Sequence, residues 1–260
     1  MHALEALSTW VINLDRAPDR LARISTQLAA LGLPFTRLAA FDARHLQPAQ
    51  LAQLDEAAYR QRHGMSPVLG ELGCYLSHVA VMQAFLASPA QAALVLEDDV
   101  LLHPSLPAVL QGLLRQPGRW DMVKLSAVHS GTPMAVAEVS SGHQLNVMLS
   151  RCTGASAYLI NRHAAQAYLR QPGGLLPMAL PYDHVFDQGW RFGLKVRLVT
   201  PTPCGHDDQI ASTIGATSAT NVARKFHWTR RLPAFGYRLR NEAQRLAYGL
   251  RQLLRERARG

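Results

Sequence analysis

The stretch AALVLEDDV, Ala92 to Val100, decides how this chain is read. An apolar run, Ala92 to Leu96, is short enough to be a buried strand. It ends abruptly in three consecutive acids, Glu97, Asp98 and Asp99. Adjacent carboxylates repel one another and are best tolerated when a cation holds them, and hard oxygen donors suit Mg2+ or Mn2+. In open α/β sheets ligands bind just outside the carboxyl ends of the strands, so this turn lies where a nucleotide would sit. A metal there could bridge two phosphates and stabilise the charge on a leaving diphosphate. The bland alternative is an acidic loop or the first turn of a helix, where Asp and Glu are favoured.

Working outward, short runs rich in Val, Ile and Leu alternate with segments of helical period, the βαβ pattern of a mostly parallel sheet. Strands are expected at Thr9 to Leu14, Phe35 to Ala40, Ala92 to Leu96, Met122 to Leu125, Ser156 to Ile160 and Lys195 to Val199. Helices are expected at Arg16 to Leu31, Gly70 to Leu86, Ser105 to Leu114, Arg162 to Leu169 and Asp183 to Phe192, with Gly or Pro closing most of them. Ala43 to Ser66 reads as a helical insertion over one edge. Ala127 to Val147 reads as a long loop or a β excursion near a site.

The net charge of +9 is confined to one end. Residues 221 to 260 hold eleven Lys and Arg against Glu242 and Glu256, and the rest of the chain is neutral. Domains are therefore expected at 1–220, catalytic, and 221–260, a basic tail. In that tail Phe235, Leu239, Ala243, Leu246, Leu250 and Leu253 form one helical stripe, with Arg238, Arg240, Arg245, Arg251 and Arg255 mainly off it. This basic amphipathic helix suits an anionic membrane surface; the alternative is a helix packed on the core with solvated arginines. Nucleic acid is not expected as a partner, because aromatic interleaving is sparse and no binding motif is present. Cys74, Cys152 and Cys204 are odd in number and far apart, which argues against a disulfide framework. The N-terminus has no signal-peptide pattern and no stretch is long and apolar enough to span a bilayer, so a cytoplasmic protein, peripheral at the inner face of the membrane, is expected.

Two further segments carry polar groups near the acidic turn. VINLDRAPDRLARI places Asn13, Leu14, Arg16 and Arg20 just beyond the first strand, where guanidiniums could meet a diphosphate or form ordinary surface ion pairs. In GELGCYLSH, Gly73 permits close backbone approach, and Ser77 and His78 sit in an apolar helix where they could contact a nucleotide, the acidic turn or neighbouring backbone.

The order VINLDRAPDRLARI, GELGCYLSHVAVMQAF, ALVLEDDV, WDMVKLS, CTGASAYLINRHAAQAYL, PYDHVFDQGW and a distal ASTIG resembles glycosyltransferase family 25, the lipooligosaccharide and lipopolysaccharide galactosyltransferases, over roughly residues 8 to 215. The resemblance implies a GT-A fold, a nucleotide-sugar donor, most commonly UDP-galactose, a lipid-linked or saccharide acceptor, Mn2+ or Mg2+, and inversion at the anomeric carbon. It implies Glu97 and Asp99 as metal ligands with Asp98 between them, and Asn13, Leu14, Arg16, Arg20, Ser77 and His78 on the donor side. Ser212 and Thr213 of ASTIG would contact donor phosphate, and His206 of PCGHDDQ would complete the metal shell, with Asp207 or Asp208 as competitors on the acceptor side. Inversion by direct displacement needs one base for the acceptor hydroxyl. Asp183 of PYDHVF is assigned that role, with Asp187 as runner-up; an N-cap is the structural alternative for Asp183.

Two other classes compete: a metal-dependent phosphohydrolase or nuclease, which needs a second dispersed set of acids, and a membrane or nucleic-acid adaptor acting through the tail. If the chain is an enzyme, deleting residues 221 to 260 is expected to spare turnover of a soluble acceptor while Asp99→Asn removes it.

Overall fold

The computed structural model describes residues 6–206 and 232–259. The strands are β1 (Leu7–Asn13), β2 (Thr36–Ala39), β3 (Ala92–Glu97), β4 (Val100–Leu102), β5 (Met122–Lys124), β6 (Pro133–Ser140), β7 (His143–Met148), β8 (Ala157–Asn161), β9 (Val196–Thr200) and β10 (Cys204–His206). Eight of them form one sheet in the order β2-β1-β3-β8-β5-β9-β7-β6, and β4 pairs with β10 apart from it. The ladders β1–β2, β1–β3 and β5–β9 are parallel. The ladders β3–β8, β5–β8, β6–β7 and β7–β9 are antiparallel. Six strands therefore point one way and only β7 and β8 oppose them: direction is mostly parallel, as expected, but pairing is mixed. The reason lies in Ala127 to Val147, which supplies the β6–β7 hairpin where a crossover helix would have been needed to bring β8 back parallel.

The helices are α1 (Pro18–Ala30), α2 (Pro48–Leu51), α3 (Glu56–His63), α4 (Leu69–Ala87), α5 (Leu106–Leu114), α6 (Arg162–Leu169), α7 (Tyr182–Phe186), α8 (Gly189–Phe192) and α9 (Leu232–Arg257). Successive strand residues face opposite ways, which divides the interior in two. Val11, Leu94, Leu96, Val123 and Leu159 pack with Ile24 and Leu28 of α1 and Val109, Leu110 and Leu113 of α5. Ile12, Val95, Met122, Tyr158 and Ile160 pack with Leu72, Tyr75, Val79 and Met82 of α4 and Ala164 and Tyr168 of α6. The sheet is thus the middle of three layers. α4, apolar nearly all round, is buried over most of its surface.

The helix expected from Asp183 to Phe192 is broken into α7 and α8, with Gln188 outside helical geometry at φ −92°, ψ 50°. At the break, the Asp187 carboxylate is drawn elsewhere: it accepts from the Cys152 backbone N–H at 3.2 Å and from Arg245 Nη2 at 2.7 Å.

α9 shows the stripe foreseen for the tail, but docks by its other face. Phe235, Leu239, Leu246 and Leu250 are exposed, while Leu253 is half-buried and Leu254 extends the outer stripe. Ala234, Arg245, Gly249, Gln252 and Glu256 are buried instead. Besides Arg245 to Asp187, the helix is held by Glu256, which accepts from Arg119 at 3.0 Å and from the buried Arg197 at 3.4 Å. Arg245, read as part of the solvated flank, is a docking residue. The 220/221 boundary and the small polar stretch Ile210 to Asn221 lie outside the described residues. No described helix is long and apolar enough to cross a membrane.

Candidate active site at the ends of β1 and β3

β1 continues outward to β2 on one side, and after the insertion and α4 the chain crosses to β3 on the other. Adjacent parallel strands whose connections leave in opposite directions open a crevice at their carboxyl ends. There β1 delivers Asn13 and β3 delivers Glu97, followed by Asp98 and Asp99. Leu14, Arg16, Arg20, Cys74, Ser77 and the three acids line one cleft. Of the donor-side residues predicted from sequence, Leu14, Arg16, Arg20, Ser77 and Asp98 line this cleft, and Asn13 and His78 are buried beside it.

The acidic turn is divided between two environments. Asn13 Nδ2 donates to Asp98 Oδ2 at 2.6 Å, and Arg20 Nη2 reaches Asp98 Oδ1 at 2.6 Å and Asp99 Oδ2 at 2.7 Å. Burial pushes the Asp98 carboxyl up from its ordinary value, with Asn13 and Arg20 acting against it. Arg20, expected on a diphosphate, here supplies the counter-charge that adjacent carboxylates require. Arg16 is engaged at the cleft rim with Asp42, at 3.0 Å. Hydrogen bonds from the Arg44 side chain and backbone hold the Asp42 carboxyl far below the usual range, against burial and with Arg16 adding to them.

Glu97 turns the other way. It accepts from the Tyr182 hydroxyl, and its Oε1 lies 3.3 Å from His78 Nε2 and 3.9 Å from Cys74 Sγ. His78 stacks on Tyr182 at 4.0 Å and its Nδ1 is 3.0 Å from the Tyr158 hydroxyl. With Nε2 donating to the carboxylate, Nδ1 is left to accept from Tyr158. His78 therefore orients Glu97. Ser77 Oγ donates to the Gly73 carbonyl at 2.7 Å and accepts from the Phe41 backbone N–H at 2.9 Å. A Cβ on Gly73 would stand 2.4 Å from the Phe41 carbonyl oxygen, so the close approach read for this glycine is that of α4 to the loop after β2.

Asp183, at the start of α7, belongs to the same neighbourhood. The Cys74 thiol is pushed well up by burial first, and then by the carboxylates of Glu97, Asp183 and Asp99 around it. Asp183 accepts from the Gly154 backbone N–H at 2.9 Å. Burial alone would raise its pKa, but His184, Lys124 and the Gly154 and His184 backbone N–H groups outweigh it and leave it below the ordinary value. It is ionised at neutral pH. Asp187 is not brought to this centre; it is bound to Arg245.

His206 is placed through its backbone, in β10 directly across from Val100, one residue beyond Asp99. Ser212, Thr213, Asp207 and Asp208 lie outside the described residues. Among the described residues Cys74, His78 and Glu97 also have donor atoms within 4.8 Å of one another. That trio shares Glu97 with the acidic turn, so it is part of the same site. For the cation that the resemblance implies, the oxygens of Glu97, Asp98 and Asp99 at one strand end are the fitting chemistry.

Cys74, Tyr158 and Tyr182 carry no assigned role in the sequence reading. One signal was available for Tyr182: it precedes Asp183 in a segment opened by Pro181, so a helix start that places the acid also places the phenol nearby.

A three-layer α/β protein with a polar, acid-bearing crevice at a sheet switch point is the class this fold and site define. The family model described as "Glycosyltransferase family 25 (LPS biosynthesis protein)" matches residues 6–185, and the chain belongs to that family. It is 30% identical over 121 residues to a glycosyltransferase 25 family member of Aedes aegypti, covering 44% of this chain and 20% of that protein. It is 27% identical over 182 residues to procollagen galactosyltransferase 1 of Danio rerio, covering 67% of this chain and 30% of that one. A mouse relative named inactive glycosyltransferase 25 family member 3 is 29% identical over 124 residues, covering 45% of this chain and 21% of its own. The chain thus spans about a fifth to a third of the relatives named. The crystal structure of A197 from STIV aligns at a TM-score of 0.38 and 10% identity over 74% of this chain and 80% of its own, too low to bear on the fold.

Proposed function

We propose that this chain transfers a hexose, galactose in the first instance, from a UDP-sugar to a saccharide acceptor of lipopolysaccharide or lipooligosaccharide type, with inversion. The observation that carries this reading is the convergence of Arg20 and the Glu97–Asp99 turn on one crevice, with Asn13 bonded to Asp98 behind it and Asp183 close enough to act on Cys74. Glu97 and Asp99, with His206 from the facing strand, would hold a divalent cation, whose charge would stabilise the departing diphosphate. Asn13 and Arg20 keep Asp98 and Asp99 in place, and Tyr182 and His78 fix Glu97. These contacts orient the carboxylates on either side of the turn before the donor arrives, and a cation held by both Glu97 and Asp99 would draw the two sides together. Asp183 accepts the proton of the attacking acceptor hydroxyl at its carboxylate. Its lowered pKa keeps it unprotonated and ready at neutral pH, and the Gly154 N–H fixes its orientation.

The exposed stripe of α9, flanked by Arg240, Arg251 and Arg255, supports an anionic membrane surface as partner, and the cytoplasmic face, where a lipid-linked acceptor would be met, is the proposed location. The family assignment supports a glycosyltransferase over the phosphohydrolase and adaptor readings.

The test is turnover of UDP-galactose with a saccharide acceptor by wild type and Asp183→Asn. A base of this kind contributes about 10²- to 10⁴-fold. The variant is expected to lose at least about a hundredfold in kcat while binding UDP as wild type does; undiminished kcat removes Asp183 as the base.

A further inference from the structure

A second cleft of about 420 Å³ lies between α3, the segment before β8, α7 and α9. It falls within the roughly 300–1,000 Å³ range of small-ligand clefts. None of its lining residues belongs to the donor cleft. Yet His184, which lines it, is the residue after Asp183, so the cleft adjoins the proposed base.

Its charge is one-sided. Arg62, Arg151, Arg238 and Arg245 line it against two carboxylates, Asp187 and Glu242. Both carboxylates are taken by Arg245, at 2.7 Å and 2.5 Å. Among the described residues no carboxylate of the cleft wall pairs with Arg62 or Arg151, while Arg238 donates to the His63 carbonyl at 2.7 Å. The positive field registers on His184: burial is the first cause of its lowered pKa, Asp183 opposes this, and Arg151, Lys124 and Arg238 add to the lowering. Two aromatic rings complete the wall. Tyr237 accepts from Gln188 Nε2 at 3.0 Å and carries the Arg62 guanidinium 5.9 Å from its ring centroid, and Phe235 stands exposed at the rim. Guanidiniums recognise carboxylate and phosphate bidentately, and an aromatic face suits the apolar face of a sugar ring.

We infer that this cleft binds the acceptor through an anionic sugar, one bearing a carboxylate or a phosphate, gripped by Arg62 and Arg151 beside Tyr237. The inference rests on the glycosyltransferase reading and names the acceptor class for it. The exposed stripe of α9 begins at Phe235 and Leu239, which also line the cleft, so a lipid-linked acceptor would reach the cleft along the same helix.

The experiment measures binding of three probes to the full chain by saturation-transfer NMR: methyl glucoside, methyl glucuronide and glucose 6-phosphate. Arg62→Gln and Arg151→Gln are compared with wild type, and UDP binding with Mn2+ is recorded separately on wild type. The expected result is that wild type binds one or both charged probes at least about tenfold more tightly than methyl glucoside, the worth of one charge-assisted pair. Each substitution should erase most of that difference, with methyl glucoside binding and thermal midpoint unchanged. The charged probe that shows the preference distinguishes carboxylate from phosphate. Equal binding of all three probes, or a preference insensitive to both substitutions, overturns the inference. A preference lost in the variants, in a protein that binds no UDP, leaves the sugar-acid cleft standing and sinks the donor reading.

Discussion

Replacing Arg245 by methionine keeps most of the aliphatic bulk against Trp190 and removes the charge that pairs with Asp187. Asp187 is buried, 6% exposed, and Arg245 Nη2 is 2.7 Å from its carboxylate. Removing one partner of such a pair costs about 3–5 kcal/mol, because the other charge stays buried. At about 2–4 °C per kcal/mol for a chain of this size, the midpoint should fall by at least roughly 6 °C at pH 8. The loss should also depend on pH, with a sign fixed by the pKa. Burial pushes Asp187 up to about 6 from an ordinary 3.8, with Lys124 and Arg245 pulling it down. Without Arg245 it rises further. The folded variant then takes up a proton, as pH falls from 8 towards 5, that the unfolded chain releases until near 3.8. Protonation removes the unpaired charge, so the deficit should shrink to about 1–2 kcal/mol at pH 5, the cost of a poorly satisfied neutral group. Urea unfolding of wild type and Arg245→Met at both pH values, with the slope checked for constancy, measures this. A deficit below about 1 kcal/mol at pH 8, or one that grows on acidification, would refute the docking account of α9. The same account predicts that cutting the chain before residue 232 destabilises the catalytic body, contrary to a dispensable tail, because Asp187 and Arg197 would lose their partners.

Gly112→Ala should destabilise by more than about 2 kcal/mol in the same assay, since its Cβ would stand 1.6 Å from the Val139 carbonyl oxygen and α5 must leave β6. Leu246→Asp with Leu250→Asp alters residues 46% and 47% exposed. Stability should hold, while sedimentation with vesicles containing phosphatidylglycerol should fall at least about tenfold. Unchanged sedimentation would remove the membrane from the reading of α9.

The apolar strands and the acid turn were legible because strand burial and a charge cluster at a strand end are both local signals. The split of that cluster was not. Whether Glu97 faces Arg20 or Tyr182 depends on the turn geometry after β3 and on α7, far away in sequence. α9 shows a different limit: Arg245 and Glu256 look like surface charge in any helical wheel, and only Asp187, Arg119 and Arg197 on distant elements turn that face inward. A signal was nevertheless present. Lys124 in MVK and Arg197 in VRLV interrupt apolar strands, and a cation in a buried strand needs a partner. Lys124 Nζ finds the Cys152 carbonyl at 2.5 Å, and Arg197 finds Gln252 at 3.1 Å and Glu256. The mostly parallel direction was legible, but the antiparallel placement of β8 was not, because Ala127 to Val147 lacks the alternation that would have marked its hairpin.

The central claim is that the turn after β3 binds a nucleotide diphosphate through a divalent cation, and calorimetric titration of UDP tests it most directly. Wild type should bind UDP with Mn2+ at least about a hundredfold more tightly than with a chelator, and Asp99→Asn should lose that dependence while keeping its thermal midpoint. Equal UDP affinity with and without Mn2+ in wild type, or full metal dependence in Asp99→Asn, would contradict the account.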